Sequence, residues 1–316
     1  MWEHTACAWE VFATEHAIVT HPKNDLNTRW LCYVLKGLNL NRYAVGAAQP
    51  GLTVEKLNRI RIALPPLAIQ RKIADVLDHT NTLIEKRKAQ IAKLDLLVKS
   101  QFIEMFGDPV TNPMGWEVKR LEDFILFLTS GSRGWSSFFA SEGEMFLTIK
   151  NVKNRSITTD NVQYVQAPKT KEAERTRVKE GDLLISITAD LGRTGVVSSD
   201  IADYGAYINQ HLSLIRLDQL KLNPHFASHF FETDAGKHQF ESKNQVGVKA
   251  GLNFNAINSL TILIPPIEFQ NQYIDFVRQA DKSKFEMRRG LNKLELLYKS
   301  LMQKCFNGNS LIYGEE

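Results

Sequence analysis

The sequence predicts an α+β chain in which mixed, β-rich domains are joined by two long helices forming an antiparallel coiled coil. Three observations carry this expectation. One stretch of the chain recurs, in register, about 200 residues further on. Each copy turns at a Pro-Pro pair into a proline-free segment whose apolar residues stand seven apart. The residues before the second copy carry short β-type runs punctuated by Gly, Asn, Asp and Ser.

The repeat aligns Gly51-Leu52 with Gly251-Leu252, Pro65-Pro66 with Pro265-Pro266, Gln70 with Gln270 and Asp75 with Asp275. It resumes where Lys93-Leu94, Leu96-Leu97 and Lys99-Ser100 meet Lys293-Leu294, Leu296-Leu297 and Lys299-Ser300. A match without gaps over such a distance is a duplicated module. It divides the chain into residues 1–64, a first domain present only in part; 65–106, a first helix; 107–264, a second domain; 265–306, a second helix; and 307–316, a tail.

Each module begins with a strand-like run, Ile60 to Leu64 and Leu260 to Ile264. Proline then fixes φ and lacks an amide hydrogen, so the pair suits an extended residue followed by the first turn of a helix. In the first helix Leu77, Ile84, Ile91, Val98 and Met105 form one line, with Ile73 and Leu94 beside it. In the second, Val277, Leu291 and Tyr298 repeat that line, broken at Lys284, and Tyr273, Ala280, Met287, Leu294 and Leu301 fill its neighbour. Such a stripe, flanked by Lys, Arg, Glu and Asp, is a coiled-coil seam, and two in one chain can bury each other.

The second domain carries β-type runs at Met145 to Ile149, Asp182 to Thr188, Thr194 to Val197 and Ala206 to Leu217. A helix capped by Asn223, with Pro224 at its first position, should place Phe226, Phe230, Phe231 and His238 on one face. The first sixty-odd residues echo only the end of that domain: an Asn27-capped stretch with Trp30, Leu31, Val34 and Leu35, then "VGAAQPGLT" answering "QVGVKAGLN".

With 316 residues, 43% of them apolar, and a net charge of +4, the chain is compatible with nucleic acid without requiring it. Cys7, Cys32 and Cys305 are scattered, with no zinc spacing, and read as core residues of a cytoplasmic protein. No apolar run long enough to span a membrane occurs. GxxxxGK[ST], HExxH and GxSxG are absent, as is the Asn- or Asp-Pro-Pro-aromatic motif of adenine methyltransferases. The Glu180-Gly181-Asp182 turn lacks the acid-x-lysine strand of a metal nuclease. The chain therefore reads as non-catalytic, without metal or cofactor of its own.

"GLTVEKLNRIRIALPPLAIQRKIADVL" with its later echo, the join "GDPVTNPMGWEVKRLEDF", "KEGDLLISITADLGRTGVV" and the "NQH" strand together resemble the specificity subunit of type I restriction-modification systems. The resemblance covers essentially the whole chain. It implies two target-recognition domains whose helices form an antiparallel spacer between half-sites on double-stranded DNA. It also implies docking of modification (methyltransferase) and restriction subunits, which would bind S-adenosylmethionine, ATP and Mg. The short first domain departs from the pattern, and a second copy of the chain is one way to supply a missing partner domain. The competing reading is a truncated coiled-coil interaction protein or non-functional remnant that binds modification subunits without defined DNA specificity.

Base reading needs forked donors and acceptors on loops, and phosphate gripping needs cations, hydroxyls and free amides. "TSGSRGWSS" (Thr129 to Ser137) supplies Ser132, Arg133 and Trp135 on what reads as a flexible, exposed loop. "KNVKNRS" (Lys150 to Ser156) supplies Lys150, Asn151, Lys153, Asn154 and Arg155 directly after a strand-like run. Arg193 lies in a tight turn, and Lys243, Asn244 and Lys249 lie in a glycine-containing loop after the Asn223 helix. Gln49 and Arg42 are the counterparts in the first domain. His211 reads as a half-buried strand histidine holding a loop, with base reading as its alternative.

Overall fold

The computed structural model describes residues 18–21, 25–38, 40, 52–244 and 251–306. In chain order these form α1 (Thr28–Gly37), α2 (Val54–Asn58), α3 (Leu67–Phe106), β1 (Glu117–Arg120), β2 (Ile125–Ser130), β3 (Phe139–Ala140) and β4 (Glu144–Leu147). There follow β5 (Val152–Lys153), β6 (Arg155–Ile157), β7 (Gln163–Val165), α4 (Lys171–Thr176), β8 (Leu183–Ser186), β9 (Thr194–Val196), α5 (Ser199–Tyr204) and β10 (Ala206–Ile208). β11 (Leu212–Leu217), α6 (Pro224–Phe231), α7 (Asp234–Lys243), α8 (Phe254–Asn258), β12 (Thr261–Ile264) and α9 (Ile267–Phe306) complete the order. Both long helices begin just past their Pro-Pro pair. Two compact units result: Leu96–Asp281, and Met1–Asp95 with Lys282–Glu316.

The Leu96–Asp281 unit holds three sheets. Six strands run in the order β2-β11-β8-β9-β6-β5, four in the order β10-β4-β7-β3, and β1 pairs antiparallel with β12. Along β8, Leu183 and Ile185 enter one core while Leu184 enters another, and β11 divides Ile215 and Leu217 from Leu212 and Leu214 in the same way. Both faces of these central strands are buried, which is why the runs are mostly apolar. Asp182, fully buried at the start of β8, takes two hydrogen bonds from Arg216, at 2.8 and 2.7 Å, and one from the Lys179 amide. The Glu-Gly-Asp turn thus delivers a charge-paired anchor to a strand.

Three expectations are corrected. The run from Ala206 to Leu217 is two strands, because Asn209 to His211 turn the chain from the four-stranded into the six-stranded sheet. The Asn223 helix stops at Phe231, where Thr233 caps a separate α7, so His238 is exposed and does not share the buried face of Phe226 and Phe230. Ile60 to Leu64 is not a strand, whereas its echo β12 is. β12 has β1 to pair with, and among the described residues the first module has no counterpart to β1.

Within this unit Phe102 and Phe106 of α3 pack against Tyr273 of α9, with ring centroids 5.4 and 5.5 Å apart, and Phe106 lies 5.0 Å from Phe226. Val98 and Val277 are buried in the same core. The end of one helix thus meets the beginning of the other, antiparallel.

The other unit repeats that plan. Trp30, Tyr33 and Val34 of α1 cluster with Ala74 and Leu77 of α3 and with Phe306 at the end of α9. Ile84 is buried, Ile91, Leu291, Leu294 and Tyr298 are half-buried, and Leu83 and Phe285, off the stripe, are exposed. Lys284, which interrupts the stripe, is only 9% exposed and donates to Asp95 at 2.7 Å. Among the described residues, no helix is long and apolar enough to cross a membrane.

The repeated glutamine has one task in both units. Gln70 accepts from the Asn27 amide at 2.8 Å and donates to the Pro65 and Asp25 carbonyls. Gln270 accepts from the Asn223 amide at 2.9 Å and donates to the Pro265 and Lys221 carbonyls. One side chain satisfies three backbone groups that the proline corner and the helix cap would otherwise leave unpaired.

Candidate nucleic-acid interface

The strand directions in the six-stranded sheet bring four connections to one rim. β2 ends where β11 begins, β8 ends where β9 begins, and β6, parallel to β9, begins where β5 ends. The loops there are Gly131 to Trp135, Asn209 to His211, Ile187 to Arg193 and the β5–β6 hairpin. They carry Arg133, Arg193, Lys153 and Arg155, drawn from separate parts of the sequence.

Beside the rim lies a cleft of about 720 Å³ lined by Lys153 and Asn154 of the hairpin, Asp190 and Arg193 of the β8–β9 turn, and Glu232, Lys237, Glu241 and Asn244 around α7. The turn is tight. Ser186 Oγ accepts from the Arg193 amide at 2.8 Å, and Gly192, at φ +77°, lies so close to Phe240 that a Cβ would stand 2.2 Å from the ring. The cleft is not a plain basic patch. Arg193 pairs with Asp190, and Arg155 lies 3.6 Å from Glu232. Lys153 and Lys237 are exposed and have no carboxylate partner among the described residues. The buried Asn244 Oδ1 accepts no hydrogen bond from the described residues.

On the Thr129 to Ser137 segment the exposure expected of Ser132 and Trp135 is corrected. Trp135 is only 4% exposed, packed on Phe146 and Tyr207 with centroids 5.6 and 5.2 Å away. Burial, and then the neighbouring Glu144 charge, hold the Tyr207 hydroxyl above its ordinary pKa. Ser132 is buried, its hydroxyl 3.0 Å from that of Thr176, and its backbone pairs with the turn at Gln210. Arg133 alone of the three is exposed, without a side-chain partner among the described residues.

Asn151 is corrected likewise. It is buried in a reciprocal cap with Thr148 and donates to the Thr158 carbonyl at 3.0 Å, holding the turn before β5. Such burial removes Ser132, Trp135 and Asn151 from contact with a duplex in this conformation. Lys150 is exposed, and Lys243 is half-buried at the end of α7. Gln49, Arg42 and Lys249 lie outside the described residues.

His211 bonds Thr188 Oγ1 at 2.7 Å through Nδ1 and faces Gln210 at 3.2 Å through Nε2. It ties two rim loops together. Glu232 and Lys237 had no local signal in the sequence, since only the packing of α6 on β9 and of α7 on α6 brings them to the cleft. Among the described residues no group of three or more His, Cys, Asp or Glu side chains is placed to hold a metal ion.

Comparison with known proteins adds the following. The family described as type I restriction modification DNA specificity domain matches residues 6–94 and 113–296. The EcoprrI specificity subunit of Escherichia coli is 40% identical over 74 residues, 23% of this chain and 18% of that protein. The putative type I restriction enzyme MjaX specificity subunit of Methanocaldococcus jannaschii is 25% identical over 306 residues, covering 90% of this chain and 69% of its own length. A solved structure of complex assembly and conformational transition in the type I R-M system aligns at TM-score 0.57 and 20% identity, over 89% of this chain and 70% of that one. The chain thus spans about two thirds of its long-range relatives, and a far smaller part of EcoprrI.

Proposed function

Since this chain belongs to the family of type I restriction-modification DNA specificity domains, we propose that it is a sequence-specific, non-catalytic DNA-binding subunit. It directs modification and restriction subunits to a target in double-stranded DNA in the cytoplasm. The partners supply methyl transfer and cleavage, with the S-adenosylmethionine, ATP and Mg those reactions need.

The observation that carries this reading is the convergence of Arg133, Arg193, Lys153 and Asn154 on one sheet rim. Two of the arginines there, Arg193 and Arg155, face carboxylates. A surface that merely attracts phosphate has no use for such neutralisation, whereas oriented guanidinium and amide groups discriminate base edges.

The partner side rests on the helices. Leu96, Leu97, Leu296 and Leu297 are 61, 47, 65 and 50% exposed, off the seam, and occupy equivalent places in the two copies of the repeat. Apolar pairs preserved on an outer face in both modules suit docking of the same kind of partner, the modification subunit, on each.

A footprint of the chain with its modification subunit tests the reading. Protection of one defined half-site, or of two related by symmetry, supports it. Uniform, salt-sensitive binding to any sequence contradicts it and favours the interaction-protein alternative.

A further inference from the structure

We infer that Asn154, at the tip of the β5–β6 hairpin, distinguishes an adenine in the target, and that Arg155 positions that tip through Glu232. The inference rests on the reading of this chain as a DNA specificity subunit. It names the element that does the reading and the base it selects.

Val152 pairs with Ile157 and Lys153 with Ser156, leaving Asn154 and Arg155 as a two-residue connection. Their φ values are +50° and +65°, both in the left-handed region, as the tightest hairpin turns require. The two residues then divide in fate. Arg155 turns back, its guanidinium 3.6 Å from Glu232 Oε2. Glu232 Oε1 lies 3.5 Å from the Thr194 hydroxyl on β9, which is 2.8 Å from the Ser228 hydroxyl of α6. The hairpin is therefore tied to the sheet and to the helix behind it.

Asn154 has no such tie. It is exposed, lines the cleft, and its side chain has no hydrogen-bond partner among the described residues. A carboxamide held on a fixed turn offers one acceptor and one donor side by side. Adenine presents the matching N6 donor and N7 acceptor in the major groove, which is wide enough for a two-stranded ribbon. Lys153, exposed next to it, can meet a neighbouring phosphate.

The test is selection from a library of randomised duplexes by the complex of this chain with its modification subunit, followed by sequencing. Asn154→Gly keeps the left-handed turn and removes the carboxamide, so its melting temperature should match the parent. It is expected to lower the preference for adenine at one position about tenfold or more, leaving the others unchanged. Asn154→Asp, also tolerant of this backbone, is expected to move that position from adenine towards cytosine, because a carboxylate accepts from cytosine N4 and cannot donate to adenine N7. Arg155→Ala should blunt the same position, and Arg155→Lys, which keeps a cation facing Glu232, should recover it.

An unaltered motif in both Asn154 variants overturns the inference while leaving the functional reading in place. A change at a different position in Arg155→Ala overturns its positioning role. A parent complex that selects no motif removes the functional reading, and this inference with it.

Discussion

Lys284 Nζ lies 2.7 Å from Asp95 Oδ1, joining the two long helices at the place where the apolar stripe is interrupted. The lysine is almost fully buried while the aspartate is half exposed, so the pair is stabilised less than its short distance suggests. Lys284→Leu, which restores the stripe, is expected to leave thermal stability unchanged or raise it. Asp95→Ala, which strips a partner from a desolvated ammonium, should lower stability by about 1–2 kcal/mol. Denaturant unfolding of both variants checks the ordering.

Burial ranks the seam positions. Ile84 is 5% exposed, and Ile91 is only half-buried. Asp at position 84 should therefore cost about 3 kcal/mol or more and Asp at 91 distinctly less, with weakened assembly on the modification subunit in both. Calorimetry should show the Leu96–Asp281 unit still melting cooperatively.

Gln270 offers a sharper chemical test than truncation. Its carbonyl oxygen accepts from Asn223 while its amide nitrogen donates to Pro265 and Lys221. Gln270→Glu keeps the acceptor but turns the donor into a second oxygen facing two carbonyls. It should destabilise at least as much as Gln270→Ala, about 2–3 kcal/mol, in a melting experiment at neutral pH.

Acid sensitivity should have an identifiable source in His225. Burial, followed by the charge of Arg278, holds its imidazole below the ordinary 6.5. Below that pH the unfolded chain takes the proton first, so the contribution is present above about 6.5 and lost as pH falls through the lower folded-state value. The melting temperature should decline over that window in the parent and decline less in His225→Gln.

The sequence carried the helices and the duplication well because both rest on local, periodic signals: the Pro-Pro corners, Gln70 and Gln270, and the heptads through Leu77 and Val277. β8 and β9 were legible as apolar runs. What was not legible depends on tertiary partners. Trp135 sits among small polar and glycine residues and looks exposed, yet the pocket made by β4 and β10 buries it. Asn151 resembles a base reader in composition and serves as a cap. The cleft joins Lys153, Arg193 and Asn244 with carboxylates that no spacing announces, since Glu232 reaches it only through the packing of α6 on β9.

Genome-wide mapping of methylated bases, in cells carrying the modification subunit with and without this chain, measures the proposed function most directly. Methylation confined to one defined motif, present only with the chain, is the expected result. Methylation that is absent in both, or that occurs at the same sites whether or not the chain is there, would contradict it.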